Sequence, residues 1–272
     1  MSTRNNQANK AAARERLRQE RERQAKKDRI RRQGIVAGSA VVLLAIAGGV
    51  GYAVVQGNKP SHWEAAKNAT TIVAPKNTTG TNGTTVVIGK ASAPKTLEVF
   101  EDSRCPICAQ FEQTVGKTVQ NDIDAGKFKI QYVGATFIDN SDNGTGSKNA
   151  LSALGAALNV SPEAFLQYKT ALYSTQFHPE ETNDKFAKDS YLLQVADSVS
   201  ALKNNATFQK DVKQGTFDAW AMKMSATFDK SGVQGTPTFK MDGKTLTADD
   251  GSQNPPMTVA QFDTAINAAL KA

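Results

Sequence analysis

Two cysteines and two histidines are all that this 272-residue chain offers of the side chains that most often hold transition metals. His62 and His178 are far apart in sequence and follow no finger spacing, so a structural zinc site lacks its four ligands. No internal repeat appears. From Gly34 to Val55 there is no charged residue, and no small-x-small cleavage site follows that run. Beyond residue 33 neither charge is in excess, with 21 Lys and Arg against 22 Asp and Glu.

The uncharged run is 22 residues long. At about 1.5 Å per residue a helix of that length spans roughly 33 Å, enough to cross the hydrocarbon core of a bilayer. It is read as a transmembrane anchor. A cleaved signal peptide is the alternative, but the basic region before it is long and the apolar run exceeds the usual signal length. Residues 1–33 carry 12 Lys and Arg against 4 Asp and Glu, a net charge of +8. Basic residues flanking a span stay on the cytoplasmic side, which places this arm inside and the bulk of the chain outside. The arm has no aromatic residue, and Glu15, Glu20, Glu22 and Asp28 interrupt its basic residues. That pattern fits a solvated segment beside lipid, and no nucleic-acid partner is expected.

Both cysteines fall in Cys105-Pro106-Ile107-Cys108, after a strand-like run from Lys95 to Phe100 and before a helix-like run from Ala109 to Ile123. A strand-to-helix turn puts Cys105 at a helix N-terminus, where free N–H groups and the helix dipole favour the thiolate, the reactive form. Pro106 suits the first helical position. Cys105 is therefore the candidate nucleophile and Cys108 the resolving thiol. A structural disulfide is the plain alternative, but so small a loop removes little entropy from the unfolded chain. An exported domain also lies where disulfides persist.

Four segments follow: the basic arm 1–33, the anchor 34–55, a flexible linker 56–85 rich in Asn, Thr and Gly, and a domain over 86–271. Strands are predicted at Val86–Gly89, Thr96–Phe100 and Phe128–Val133. Residues 147–228 read as a helical block, with Gly215 dividing its last stretch. Strands resume at Thr238–Met241 and Lys244–Thr247 around an Asp242-Gly243 turn. Thr258 and Gln261 form a capping box for a final helix with Val259, Phe262, Ile266 and Leu270 facing inward. This order is an α/β thioredoxin fold interrupted by a helical insertion.

Over about residues 86–271 the chain resembles the DsbA-like branch of the thioredoxin superfamily, membrane-anchored bacterial members in particular. The resemblance rests on Gly89-Lys90-Ala91 with Ala93-Pro94, on Val99-Phe100-Glu101-Asp102 running into the dithiol, and on Phe111-Glu112 behind it. Leu172-Tyr173 with Gln176, and Gly232-Val233-Gln234-Gly235-Thr236-Pro237-Thr238-Phe239, complete it. It implies a cis Thr236–Pro237 bond beside the dithiol, with Gly235 and Thr236 contacting an extended substrate strand through free backbone groups. It implies no cofactor, a substrate class of unfolded secreted proteins with free cysteines, and a quinone-linked membrane oxidase as reoxidising partner. Two departures stand out. Strong oxidants of this family carry His where this chain has Ile107, and some relatives place a buried acid where it has Val99.

Arg104, next to Cys105, is expected either to stabilise the thiolate by its charge or to be an exposed surface residue. Glu98, Glu101 and Asp102 are candidates to relay protons to Cys108, or are solvated groups at a strand end. The Cys105 pKa is expected at about 4.5–6.5, between a free thiol and the most oxidising enzymes. The function expected is an exported thiol:disulfide oxidase. A reductase or isomerase of the same fold, and a non-enzymatic exported interaction domain with a structural disulfide, are the rivals. The topology carries its own test: protease added to wall-stripped cells should remove the domain and spare residues 1–33, and mature protein in the medium beginning near residue 57 would contradict it.

Overall fold

The computed structural model describes residues 62–272. The predicted arm and membrane span lie outside them, and among the described residues no helix is long and apolar enough to cross a membrane. In chain order the elements are helix α1 (His62–Lys67), a 3-10 turn at Thr81–Gly83, strands β1 (Val86–Ile88) and β2 (Thr96–Asp102), α2 (Pro106–Ala125) and β3 (Lys129–Ala135). Helices α3 (Ile138–Ser141), α4 (Gly146–Val160), α5 (Pro162–Leu172), α6 (Asp189–Ala196), α7 (Ala206–Gln214) and α8 (Asp218–Lys230) follow. The chain closes with β4 (Thr238–Met241), β5 (Lys244–Thr245) and α9 (Val259–Lys271).

The sheet order is β1-β3-β2-β4-β5. Strand β2 is central, parallel to β3 and antiparallel to β4, with Val99 opposite both Tyr132 and Phe239. The last four residues of β2, Val99 to Asp102, are all buried. A strand whose final residues are covered on both faces and include two acids must bring those acids a partner, because an unpaired buried charge is costly. Helix α2 follows directly and is delimited by its own sequence. Pro106 opens it, Cys105 caps it by accepting from the Cys108 N–H, and Gly126 ends it at φ +79°, donating to the carbonyls of Asp122 and Ile123.

On one side of the sheet Phe111 of α2, Phe239 of β4 and Phe262 of α9 pack together, with ring centroids 4.4, 5.9 and 6.4 Å apart. These contacts fix the helix that carries the dithiol. On the same face Tyr132 of β3, level with Val99 and Phe239, meets Phe165 of α5 edge to face at 5.1 Å, which joins the helical block to the sheet, while on the opposite face Phe100 of β2 meets Phe228 of α8 at 6.3 Å. Helix α8, the last of that block, packs on β3 and leads into β4. The block begins at α3, earlier than the predicted residue 147, and its last helix belongs to the layer that covers the sheet.

Local signals account for most boundaries. Ser161 caps α5 by accepting from the Ala164 N–H, and Asn205 caps α7 by accepting from that of Phe208. Gly215 ends α7 in the left-handed conformation at φ +59°. Asp242 and Gly243 both take positive φ between β4 and β5, and the Thr258–Gln261 capping box is present. Phe262 and Ile266 of α9 are buried, but Val259, on the same face at the helix's first residue, is exposed.

Residues 62–85, within the predicted linker, make definite contacts. Helix α1 packs on α8, and His62 pairs with Asp218 at 2.5 Å. The Asn77 side chain donates to the Leu158 carbonyl, and the buried Trp220 indole donates to that of Gly83 at 2.8 Å. The segment is a strap across α4 and α8. Its composition is that of a loop because its polar groups bond to helix ends and carbonyls and do not pack a core.

Candidate active site

The dithiol stands where β2 ends and α2 begins. Cys105 Sγ accepts from the Cys108 N–H at 3.3 Å and donates to the Thr236 carbonyl at 3.4 Å. The Thr236–Pro237 bond is cis, and this hydrogen bond holds the loop before β4 against the sulfur. Both cysteines are free thiols in this structure. Cys105 is 5% exposed and Cys108 wholly buried, while Ile107 between them is 46% exposed. The accessible end of the pair is therefore Cys105, beside an apolar side chain that projects outward. Gly235, one residue further from the sulfur, has open space where a side chain would stand.

The two sulfurs titrate in opposite directions. The Cys105 pKa is held down to about 7, first by the hydrogen bond from the Cys108 thiol, against an opposing burial effect, with further help from Thr236 and the helix N–H groups. This is below an ordinary thiol but above the expected window. The reason is that the helix N-terminus acts here with no cationic neighbour. Cys108 is pushed well up, first by burial, then by its hydrogen bond and charge interaction with Cys105 and by the charge of Glu101. One pair thus contains an ionisable nucleophile and a thiol that holds its proton.

Arg104 fulfils neither sequence expectation. It is 1% exposed, and its guanidinium turns away from the thiol into a set of oxygens: Asp139 Oδ1 at 3.0 Å, Asp142 Oδ2 at 3.0 Å, Asp184 Oδ1 at 3.4 Å and the Glu181 carbonyl at 2.5 Å. Its charge is spent on carboxylates, and it does not contribute to the Cys105 shift. Asp102 makes the matching connection through neutral donors. Its carboxylate accepts from the Arg104 N–H, the Ser147 hydroxyl and the Ile138 N–H, and its carbonyl accepts from the Tyr173 hydroxyl at 3.0 Å. Burial raises the Asp102 pKa to about 6 in spite of these bonds.

Glu101 is buried as well, and the solvated strand-end reading fails for both acids. Lys169 from α5 reaches it, with Nζ 3.2 Å from Glu101 Oε2 and 2.6 Å from Glu112 Oε2 on α2. Burial, the largest effect, raises the Glu101 pKa, and Lys169 opposes the rise. Tyr132 and Tyr173 complete the surroundings, and each has its hydroxyl pKa pushed up by burial and then by the charge of Glu101. Sequence reading missed Lys169. The signal was present, since Phe165, Tyr168, Lys169 and Leu172 share one helical stripe and a lysine on an apolar stripe calls for a buried partner.

A parallel and antiparallel sheet with a Cys-Pro-Ile-Cys turn at a helix N-terminus, a cis-proline against the nucleophilic sulfur and a helical insertion over the pair defines a DsbA-like thiol:disulfide oxidoreductase. The family model described as thioredoxin matches residues 81–268, and the chain belongs to that family. It is 28% identical over 161 residues to disulfide bond formation protein D of Bacillus subtilis, a match covering 59% of this chain and 68% of that protein. It is 26% identical over 164 residues to the serine/threonine-protein kinase PknE of Mycobacterium tuberculosis, where it spans 58% of this chain and only 28% of the kinase. Among solved structures, oxidised DsbA of Mycobacterium tuberculosis shares the fold with a TM-score of 0.54 at 22% identity, covering 69% of this chain and 98% of that one.

Two outcomes are expected. Arg104→Met strands three carboxylates and should cost about 3–5 kcal/mol in urea unfolding, while Cys105 still titrates near 7 by thiolate absorbance. A large rise of that pKa would return Arg104 to the role of thiolate partner. The lowered Cys105 pKa should also make the reduced fold gain on the oxidised one as pH rises. The contribution is complete above the ordinary value of 9.0 and is lost as pH falls through about 7. The difference between paired reduced and oxidised melts should therefore grow by at most about 2–3 kcal/mol across that window.

Proposed function

We propose that this protein is an exported, membrane-anchored oxidase that forms disulfides in secreted proteins by dithiol–disulfide exchange at Cys105 and Cys108. The observation that carries the reading is the asymmetry of the pair: one sulfur slightly exposed and ionisable near neutrality, the other wholly buried and protonated. The name of the Bacillus subtilis relative supports the same direction of chemistry. The uncharged run 34–55 and the +8 arm support the anchor.

A substrate thiolate attacks Cys105 Sγ of the oxidised pair, and the Cys105–Cys108 bond breaks. Cys108 leaves as a thiolate inside the protein and takes up a proton, for which Glu101 is the adjacent buried acid. A second substrate thiolate attacks the substrate's own sulfur in the mixed disulfide, and Cys105 departs as the stabilised thiolate. Two electrons have passed from substrate to enzyme. A membrane thiol oxidase, drawing on quinone, returns the pair to the disulfide. Gly235 and the backbone of Thr236 line the approach to Cys105 and receive the substrate strand.

Magnitudes limit how oxidising the pair is. A thiolate with a pKa of about 7 stabilises the dithiol at pH 7 by only about 0.4 kcal/mol relative to an ordinary thiol, or close to 10 mV for a two-electron couple. The pair is a mild oxidant, and its partner sets the direction. With Cys105 first converted to a mixed disulfide with a small thiol, Cys108→Ser incubated with a reduced unfolded protein carrying one cysteine should exchange the small thiol for the substrate and accumulate a mixed disulfide through Cys105, and Cys105→Ser should form none. In cells the wild-type pair should be trapped mainly as the disulfide by acid quench and alkylation. A mainly dithiol pair would reverse the assignment to a reductase, and a Cys105→Ser strain with an unchanged phenotype would favour the interaction-domain reading.

A further inference from the structure

The dithiol has two flanks. On one side of β2 stands β4 with the Thr236 loop before it, and on the other stand β3 and, at the sheet edge, β1. On the β1 flank a groove of about 1230 Å³ runs between α2 and α5. Its floor is apolar, built from Ile88 of β1, Ile123 of α2 and Leu166 of α5, each less than a tenth exposed. Its walls carry carboxamides: Gln113 and Gln120 from α2, Gln167 from α5 and Gln176 from the loop after α5. The charges along it cancel. Lys90 and Lys117 stand against Asp124 and Glu163, and Glu112 is held by Lys169 at 2.6 Å.

The groove is continuous with the active site. At the end nearer the dithiol the Gln113 amide donates to the Tyr173 carbonyl at 2.7 Å, and Tyr173 packs in one cluster with Cys105 and Cys108. Ile107, Gln110, Gln113 and Lys117 are exposed along one side of α2 at steps of three and four, so a single helix surface leads from the rim of the dithiol into the groove. Resting on the exchange chemistry above, we propose that this groove is a second substrate subsite, which holds in extended form the stretch of unfolded chain leaving the reacting cysteine on the side away from the Thr236 loop.

The lining chemistry selects that occupant. A carboxamide both donates and accepts, so four of them can pair with the N–H and C=O groups of any extended chain, whatever its sequence. An apolar floor receives side chains of an unfolded segment, and the cancelled charges favour neither an acidic nor a basic ligand. The length agrees as well. From Gln113 to Asp124 the groove follows α2 for about 17 Å, the span of about five residues of extended chain. The stretch of α2 from Cys105 to Gln113 adds about 12 Å, or about four residues. The groove therefore reads residues about four to nine positions from the reacting cysteine, beyond the reach of a small thiol.

The test uses the full chain carrying Cys108→Ser, with Cys105 first converted to a mixed disulfide with a small thiol. It is exchanged against uncharged peptides with a single cysteine and about ten residues before it, about ten after it, or about two on each side. At least one long peptide should move the equilibrium toward the peptide mixed disulfide about tenfold further than the short one. Gln167→Trp, at an exposed position of α5, fills the groove. It should abolish that advantage while the short peptide exchanges as before and the Cys105 thiolate absorbance does not move. A photoreactive side chain about six residues from the cysteine in that long peptide should cross-link to α5 or β1. Exchange independent of length, an advantage that survives Gln167→Trp, or cross-links confined to Gly235 and Thr236 would overturn the proposal. Length-independent exchange with Gln167→Trp slowing reoxidation by isolated membranes would overturn it too, and would assign the groove to the reoxidising partner. If even the short peptide fails to exchange, the exchange reading itself has failed, and that result is read separately from the dependence on length.

Discussion

The guanidinium of Arg104 is the contact on which the geometry around the dithiol depends. It sits beside the nucleophile in sequence and is satisfied by oxygens from three separate places: Asp139 in α3, Asp142 just after it, and Glu181 with Asp184 in the loop before α6. Packing leaves no room there for larger residues. A Cβ at Gly146 would collide with the Asp184 carboxylate, and one at Gly144 with the Arg104 guanidinium. A buried arginine with several carboxylates is no guarantee of extra stability compared with an apolar substitute, but once built it cannot lose one member cheaply. Here it fastens the loops of the helical block to the turn that carries Cys105.

Asp102 and Glu101 extend the same constraint. They end the central strand in a place buried on both sides, so each must find compensation across the domain interior. Asp102 finds it in N–H and hydroxyl groups of α3 and α4, and Glu101 in the ammonium of α5. The two acids and Arg104 tie three parts of the insertion to four consecutive residues of the active-site segment. That is why Tyr173 lies in one cluster with Cys105 and Cys108.

The chemistry follows from unequal surroundings of two chemically identical groups. Cys105 has hydrogen-bond donors from the helix start and the Thr236 loop, while Cys108 has burial and a neighbouring negative charge. A histidine between them would have added a cation to the donors of Cys105. With Ile107 in its place the thiolate gains only what the helix N–H groups, Thr236 and the partner thiol supply, and the exposed isoleucine leaves the rim apolar there.

The sequence by itself determined what depends on near neighbours. The strand–CPIC–helix turn, the Pro106 start and Gly126 end of α2, the Gly215 break, the Asp242-Gly243 turn and the Thr258–Gln261 box are all local, since a turn or cap is decided within a few residues. Family resemblance added the loop at Thr236–Pro237. Only the tertiary structure decided where the charged side chains go. Arg104 meets Asp139 across 35 residues, Glu101 meets Lys169 across 68, and Tyr173 meets the Asp102 carbonyl across 71. Nothing in the pattern near Arg104 says whether it turns toward sulfur or toward carboxylate. The choice is made by which oxygens the folded helical block brings within 3 or 4 Å, and a buried charge takes the partners that desolvation makes indispensable. The segment 62–85 obeys the same logic: its composition is that of a linker, and its place as a strap comes from the indole of Trp220 and the carboxylate of Asp218 far along the chain.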